Sequence, residues 1–310
     1  MNKNKVYNDF LNIVGEENVL IDEPMKKHIT FRVGGPADIL VKPKNEEQLK
    51  NILEYIKKEE LPYIVIGNGS NLLVKDGGIR GVVVEISDNY NDFNIDGNKL
   101  EIQAGALLSK IGSAALKAEL KGFEFASGIP GSFGGALAMN AGAYGGEIKD
   151  IVKTVKVMDL DGNILELKNE DMKFGYRKSI IVEKGYIALS AVVELEKGNY
   201  DEIKSTMDDL KERRTSKQPL NFASAGSTFK RPEGYFAGKL IQDSGLKGLS
   251  IGDAQVSEKH SGFVINKGNA TAKQLLDLIF AIKSTVNAKF GVMLEEEVKI
   301  IGEDLDKENE

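Results

Sequence analysis

Leu49, Ile52, Leu53 and Ile56 recur at helical spacing among charged neighbours and predict an amphipathic helix over 46–60. Asn45 stands where a cap is needed, Gln48 is placed to reach back, and Pro62 stops the run. Apolar stretches at 37–42, 63–66 and 82–86 read as strands around that helix, a βαβ-like opening. A polar, turn-rich stretch at 88–97 follows. Residues 99–104 then alternate as a strand, and 106–120 suits a helix with Leu108, Ile111, Ala115 and Leu116 inward. Beyond a glycine-rich interval come strands at 153–160, 164–168 and 187–195, the first two joined by Asp161-Gly162 as a hairpin. Residues 199–214 read as a helix, and a break at Thr215–Pro219 marks a boundary between two large units. In the last third, helices are expected at 235–244 and 271–289. Thr271 and Gln274 make a capping box for the second, and Gly291 sits where it should end. The elements add up to an α+β chain of two or three domains.

Charge narrows the chemistry. Against 41 Lys and Arg stand 47 Asp and Glu, a net −6, which disfavours a non-specific nucleic-acid binder that must release phosphate counterions. The chain has no cysteine, which excludes disulfides, thiolate metal sites and a cysteine nucleophile. Two histidines leave little room for Ser-His-Asp catalysis, and nothing has the spacing of a metal site. No apolar run is long enough to span a bilayer, and none follows the first lysines, so a cytoplasmic protein with neither membrane nor nucleic-acid partner is expected. The acidic end GEDLDKENE, residues 302–310, reads as a solvated tail.

Glycine is in excess, 33 of 310 residues, and the excess is clustered at 67–81 and 122–146. Gly67-Asn68-Gly69-Ser70-Asn71 directly follows a strand. Successive amides there could point into one concavity as an anion nest, or the segment is a tight turn between strands. No Gly-Lys-Ser/Thr follows, so it is not a Walker loop. In the second cluster, from Gly128 to Gly146, almost every side chain is small. Such a segment either packs a helix closely or lets a large flat ligand and its phosphates touch backbone, and its entropic cost favours the ligand. On that reading a β-branched residue at Gly134 would cost ligand occupancy before it cost the fold.

The order of motifs carries more than any one of them. Thr30-Phe31-Arg32-Val33-Gly34-Gly35-Pro36-Ala37-Asp38 comes first, then GNGSNLLV at 67–74 and GIPGSFGGALAMNAGAYGGE at 128–147. Tyr176-Arg177-Lys178-Ser179, Ala225-Gly226-Ser227-Thr228-Phe229-Lys230 and Leu294-Glu295-Glu296-Glu297-Val298 follow. From residue 30 to 302 the chain resembles the UDP-N-acetylenolpyruvoylglucosamine reductases, short subtype, within the wider vanillyl-alcohol-oxidase-like flavoproteins. The resemblance implies a two-lobed FAD-binding domain of that type at 1–90 and 91–197 and an α+β substrate-binding domain at 198–310. It thereby moves the boundary read from the residues from 215 to about 198.

It also implies an activity: NADPH-dependent reduction of the enolpyruvyl ether of UDP-N-acetylglucosamine to UDP-N-acetylmuramate, in building peptidoglycan. Hydride must reach the terminal enol carbon while negative charge builds on the carboxylate, and a proton must reach the neighbouring carbon. The resemblance gives the carboxylate to Arg177, the proton to Ser227 and further stabilisation to Glu297. Taken alone, Arg177 reads as a surface salt bridge and Ser227 as a turn residue. Glu295 and Glu296 are read as a solvated face. If 294–301 is a strand, Glu297 shares its side with Glu295 and Lys299, so alternation does not single it out.

The implied flavin contacts are Gly67, Asn68, Gly69, Ser70, Asn71 and Leu72, then Gly128, Ile129, Pro130, Gly131, Ser132, Gly134, Gly135, Ala136, Asn140 and Gly142. FAD should be held non-covalently, because the attachment histidine of the wider superfamily has no counterpart here. Lys217 and Arg231 are candidates for the substrate diphosphate, with Lys230 and Lys239 behind them. His28 and His260 are read as structural. Two rivals remain: a flavin oxidase of the same superfamily, which would lack Ser227 with Glu297, and a nucleotide-binding protein without turnover.

Overall fold

The structure, a computed structural model, describes residues 1–305, so Asp306–Glu310 of the acidic tail lie outside the described residues. By internal contacts the chain forms two units, each assembled from separate stretches. Unit 1 comprises Met1–Ile21, Ile39–Asn68 and Gly81–Arg214; unit 2 comprises Asp22–Asp38, Gly69–Arg80 and Thr215–Glu310.

Unit 1 holds a continuous apolar core. The helix Lys3–Val14 contributes Val6, Phe10 and Val14, a four-residue spacing that puts them on one buried face, and Asn2 caps it by accepting from the Lys5 amide at 3.1 Å. The helix Glu46–Lys58 buries Leu49, Ile52, Leu53 and Ile56 as their spacing predicts. Asn45 accepts from the Gln48 amide at 2.9 Å, while the Gln48 side chain reaches past the cap and accepts from Lys44 at 2.8 Å. The strand Tyr63–Ile66 pairs parallel to residues 82–85, a match for the βαβ-like opening. The second sheet is antiparallel, in the order Ile164–Lys168, Val152–Met158, Ile187–Glu194, Lys99–Gln103, Phe93–Asp96. The last of these strands lies where a turn-rich stretch was expected. Its alternation is short, but Phe93 and Ile95 pack on the core while Asn94 and Asp96 face out. The hairpin at Asp161-Gly162 is present; Gly162 has φ +80° and the Asp159 carboxylate accepts from the amides of Asp161 and Asn163.

Unit 2 is organised around the helix Ala272–Phe290, which buries Leu275, Leu278, Ile279, Ile282 and Val286. The helix packs on a three-stranded sheet, Ser250–Ile251, Ala254–Val256 and Val264–Asn266. Its capping box is formed by Thr271 and Gln274, and Gly291 ends it at φ +67°. Asp76 adds a second cap, its two carboxylate oxygens accepting from the Ala272 and Lys273 amides at 2.8 Å each. A parallel pair joins Leu72–Val74 to Lys299–Ile301, two stretches 227 positions apart in the register Leu72 to Lys299. Of residues 294–301, considered above as a strand, only these last three are regular. Residues 302–304 are not a free tail: Gly77 and Gly78 exchange backbone bonds with Glu303 at 2.9 Å, and Lys75 pairs with Asp304 at 2.8 Å.

Candidate functional site

In unit 1 the two glycine clusters meet. A Cβ at Gly67 would collide with the Ser132 hydroxyl, so the end of the Tyr63–Ile66 strand lies directly on the start of the second cluster. That cluster is helical from Phe133 to Met139, with Phe133, Ala136 and Leu137 buried. Asn140 ends the helix at φ +42°, and its carboxamide donates to Glu147 at 2.9 Å and Gly175 at 3.2 Å and accepts from Lys149 at 3.0 Å.

The glycines here are of two kinds. At Gly134 a Cβ would stand 2.8 Å from the Ala104 Cβ; at Gly142 it would meet the Gly146 carbonyl at 2.8 Å. The chain's own packing fills both directions, which corrects the expectation that bulk at Gly134 would strike a ligand first. Gly135 differs. It is exposed, and the nearest atom to its Cβ position is the Ser132 hydroxyl at 3.6 Å. Gly128 is exposed as well, with Arg214 at 3.5 Å from the Cβ position. Exposed backbone at Gly128 and Gly135, where an added Cβ would meet side chains no closer than 3.5 Å, suits a flat cofactor lying on the chain.

Arg177 sits at the second position of a two-residue turn closed by mutual backbone bonds between Gly175 and Lys178. Its φ is +54°, an uncommon conformation for a residue with a side chain. Asn140 holds one side of the turn through the Gly175 carbonyl. Ser179, fully buried, holds the other by donating to the Ala138 carbonyl at 2.7 Å. The turn is thus fastened to the glycine-rich helix at both ends. The guanidinium lies 5.1 Å from the Tyr176 ring centre. Hydrogen bonding from Lys149, against the raising effect of burial and aided by Asn140 and the Arg177 charge, holds Glu147 below the usual carboxylate range.

Unit 2 pairs the backbone at Glu297 with that of Thr228, the residue after Ser227. Thr228 is buried, donates its amide to Gly262 at 2.9 Å and accepts from Val264 on its hydroxyl at 2.9 Å. Its carbonyl accepts from the Glu297 amide at 2.8 Å. Phe229 bridges Glu296 antiparallel, and Lys230 donates its amide to Glu295 at 2.9 Å. Ser227 is exposed next to Gly226, whose φ is +76°. No pattern in the sequence marks Thr228 as the joint; only the fold sets residues 228 and 297 side by side.

The first glycine loop enters unit 2 at Gly69. Gly69 is buried at φ +57°, where a Cβ would run into the His28 carbonyl. Asn71 donates its carboxamide to the Glu297 carbonyl at 3.1 Å. The early motif at 30–38 is built into the same unit: the Thr30 hydroxyl donates to Ser224 at 2.7 Å, and Asn266 donates to Phe31 at 3.2 Å. Glu295 is exposed and paired with Lys230 at 3.0 Å. Glu296 departs from the solvated-face expectation, being half-buried against Lys283 at 2.7 Å. Lys217 ends an exposed helical turn, and Arg231 lies 4.1 Å over the Phe236 ring. Lys239 pairs with Asp243 at 2.8 Å on the surface. Among the described residues no metal-ligating cluster gathers, and no helix is long and apolar enough to cross a membrane.

Comparison with known proteins gives these features a setting. Residues 37–168 match the family model described as FAD binding domain, and residues 218–301 match that of the UDP-N-acetylenolpyruvoylglucosamine reductase C-terminal domain. A UDP-N-acetylenolpyruvoylglucosamine reductase of Clostridioides difficile is 69% identical over 98% of this chain and 100% of its own length. One from Clostridium perfringens is 57% identical over 96% of this chain and 99% of its own. The crystal structure of the UDP-N-acetylenolpyruvylglucosamine reductase of Thermus caldophilus superposes with a TM-score of 0.78 at 36% identity, covering 91% of this chain and 97% of that one.

Proposed function

Since this chain belongs to the UDP-N-acetylenolpyruvoylglucosamine reductase family and is an FAD-dependent oxidoreductase, we propose that it reduces the enolpyruvyl ether of UDP-N-acetylglucosamine to UDP-N-acetylmuramate with NADPH, in the cytoplasm and in the service of peptidoglycan synthesis. Division into two flavin lobes, 1–90 and 91–197, and a substrate domain at 198–310 is part of the same proposal.

Held non-covalently, FAD would supply the hydride chemistry that links NADPH to the enolpyruvyl carbon. The backbone of Gly67 to Leu72 and of the segment from Gly128 to Gly142 would hold it, with the exposed backbone at Gly128 and Gly135 as the surface a flat ring system requires. Arg177 presents a planar, permanent charge to the substrate carboxylate, where negative charge grows during reduction. Ser227 gives its hydroxyl proton to the carbon beside the ether oxygen, an acceptor basic enough to take it. Glu297 is the third group of the same reacting centre. Lys217 and Arg231 bind the diphosphate.

The observation that carries this reading is the bond from the Glu297 amide to the Thr228 carbonyl, which sets Glu297 across from the residue next to Ser227. Ser227→Ala tests it. Rapid mixing with NADPH should reduce the flavin at a near-normal rate, because that half needs no substrate proton. Reoxidation by the enolpyruvyl substrate should slow by about 10²- to 10⁴-fold, the usual worth of a general acid. Equal slowing of both halves, or of neither, removes Ser227 from the role. Acid precipitation should leave the flavin in the supernatant; colour in the pellet would contradict non-covalent binding.

A further inference from the structure

Asn71 belongs to the first glycine loop, where its carboxamide stands among the implied flavin contacts. In the fold one donor of that carboxamide is engaged within the chain. It donates to the Glu297 carbonyl at 3.1 Å, and the Asn71 carbonyl accepts from the Lys299 amide at 2.9 Å. On its other side Glu297 is fixed by its amide bond to the Thr228 carbonyl. Residues 294–298 belong to no regular strand, so Glu297 is located by these individual bonds and not by a continuous ladder. One of them comes from a side chain. We infer that Asn71 is a positioning residue for Glu297: its carboxamide fixes the Glu297 peptide plane, and through it the direction in which the carboxyl leaves the chain. The first glycine loop and the carboxyl then act as one piece. The inference rests on the reading of Glu297 as a group that meets the substrate.

A carboxyl on irregular backbone that loses one of its fixing bonds can settle in a displaced position without unfolding anything. Displacement of about 1 Å at a reacting centre costs on the order of 10²-fold in rate. Binding of a cofactor by loop backbone is left intact by such a change, and so is hydride transfer into the flavin.

Asn71→Leu keeps the approximate shape and neutrality and removes the donor. Three quantities are measured in it: FAD affinity by fluorescence titration of the apoprotein, flavin reduction by NADPH, and flavin reoxidation by the enolpyruvyl substrate. The same set is measured in Glu297→Gln and in the double variant. Reoxidation should slow by about ten- to a hundred-fold in Asn71→Leu while FAD affinity and reduction change little, and the slowing should disappear in the Glu297→Gln background. Should leucine disturb the loop, Asn71→Ser, too short to reach the carbonyl, gives the same comparison. Lost FAD affinity with normal reoxidation would assign Asn71 to the cofactor instead and overturn the inference. Equal slowing in both backgrounds would overturn it too, since the effect would then bypass Glu297. If Glu297→Gln alone reoxidises normally, the catalytic reading of Glu297 fails first; if it is slow and Asn71→Leu is not, only the positioning claim fails.

Discussion

Gly134 and Gly135 are adjacent and look equivalent in the sequence, yet they answer to different neighbours. A valine at 134 must displace Ala104, whose Cβ would be 2.8 Å away, and inserting bulk into a packed site costs about 1–3 kcal/mol. Gly134→Val should therefore lower the urea midpoint of the apoprotein. Gly135→Val meets only the Ser132 hydroxyl at 3.6 Å; it should leave that midpoint near normal and weaken FAD binding in a fluorescence titration. An apoprotein of unchanged stability with valine at 134 would contradict the packing assignment. This distinction was not legible beforehand, because a glycine's reason lies in what faces its missing side chain. The same holds for Thr228 and Asn71, whose partners Glu297 and Val264 are remote in sequence. Arg177, Ser227 and Glu297 were reached only through motif resemblance, each having an ordinary surface reading by itself.

Elements whose apolar spacing is strong were readable to within a few residues, as the helices Glu46–Lys58 and Ala272–Phe290 show. The helix Lys3–Val14 was legible in the same way, from Val6, Phe10 and Val14, and was not read. The helix Phe133–Met139 was the less favoured of two readings of its segment, because Gly134 and Gly135 have low helical propensity, which packing overrides. Caps offer a test at this scale. Thr271 satisfies the Gln274 amide of the long helix, but Asp76, seen only in the fold, satisfies Ala272 and Lys273 with a charged group. Asp76→Ala should cost about 1–2 kcal/mol and Thr271→Ala about 0.5–1 kcal/mol, read from urea unfolding. The reverse ranking would mean that the capping box, and not the aspartate, starts the helix.

For the whole molecule, contiguous ranges are all that local pattern can deliver, whereas the parallel pairing of Leu72–Val74 with Lys299–Ile301 makes one unit from distant stretches. The titrating groups of both units combine into one expected pH profile. Burial keeps the His260 imidazole below its ordinary 6.5, and its Nδ1 accepts from the Gly262 amide at 3.1 Å. The unfolded chain therefore binds that proton first, and stability should begin to fall as the pH drops below about 6.5, continuing to the lower folded value. Glu23, where burial is the largest single influence and raises but His28 and Lys27 together outweigh it, and Glu147, Asp159 and Glu194, lowered chiefly by side-chain hydrogen bonds, add a second descent. It starts near their ordinary values of 4.5 and 3.8 and runs to the folded ones. At the alkaline end Tyr55 is pushed up to about 12 by burial and by Asp9, and Tyr90 is pushed up by burial and Glu46. Both keep their protons when folded, so stability should also fall above about pH 10. Urea midpoints across this range should show a plateau from about pH 6.5 to 10 with a two-stage acid side. His260→Gln should remove the first stage and leave the carboxylate stage in place. A midpoint that holds steady in the native chain down to pH 5, or an unchanged first descent in the variant, would show that His260 is not the group responsible.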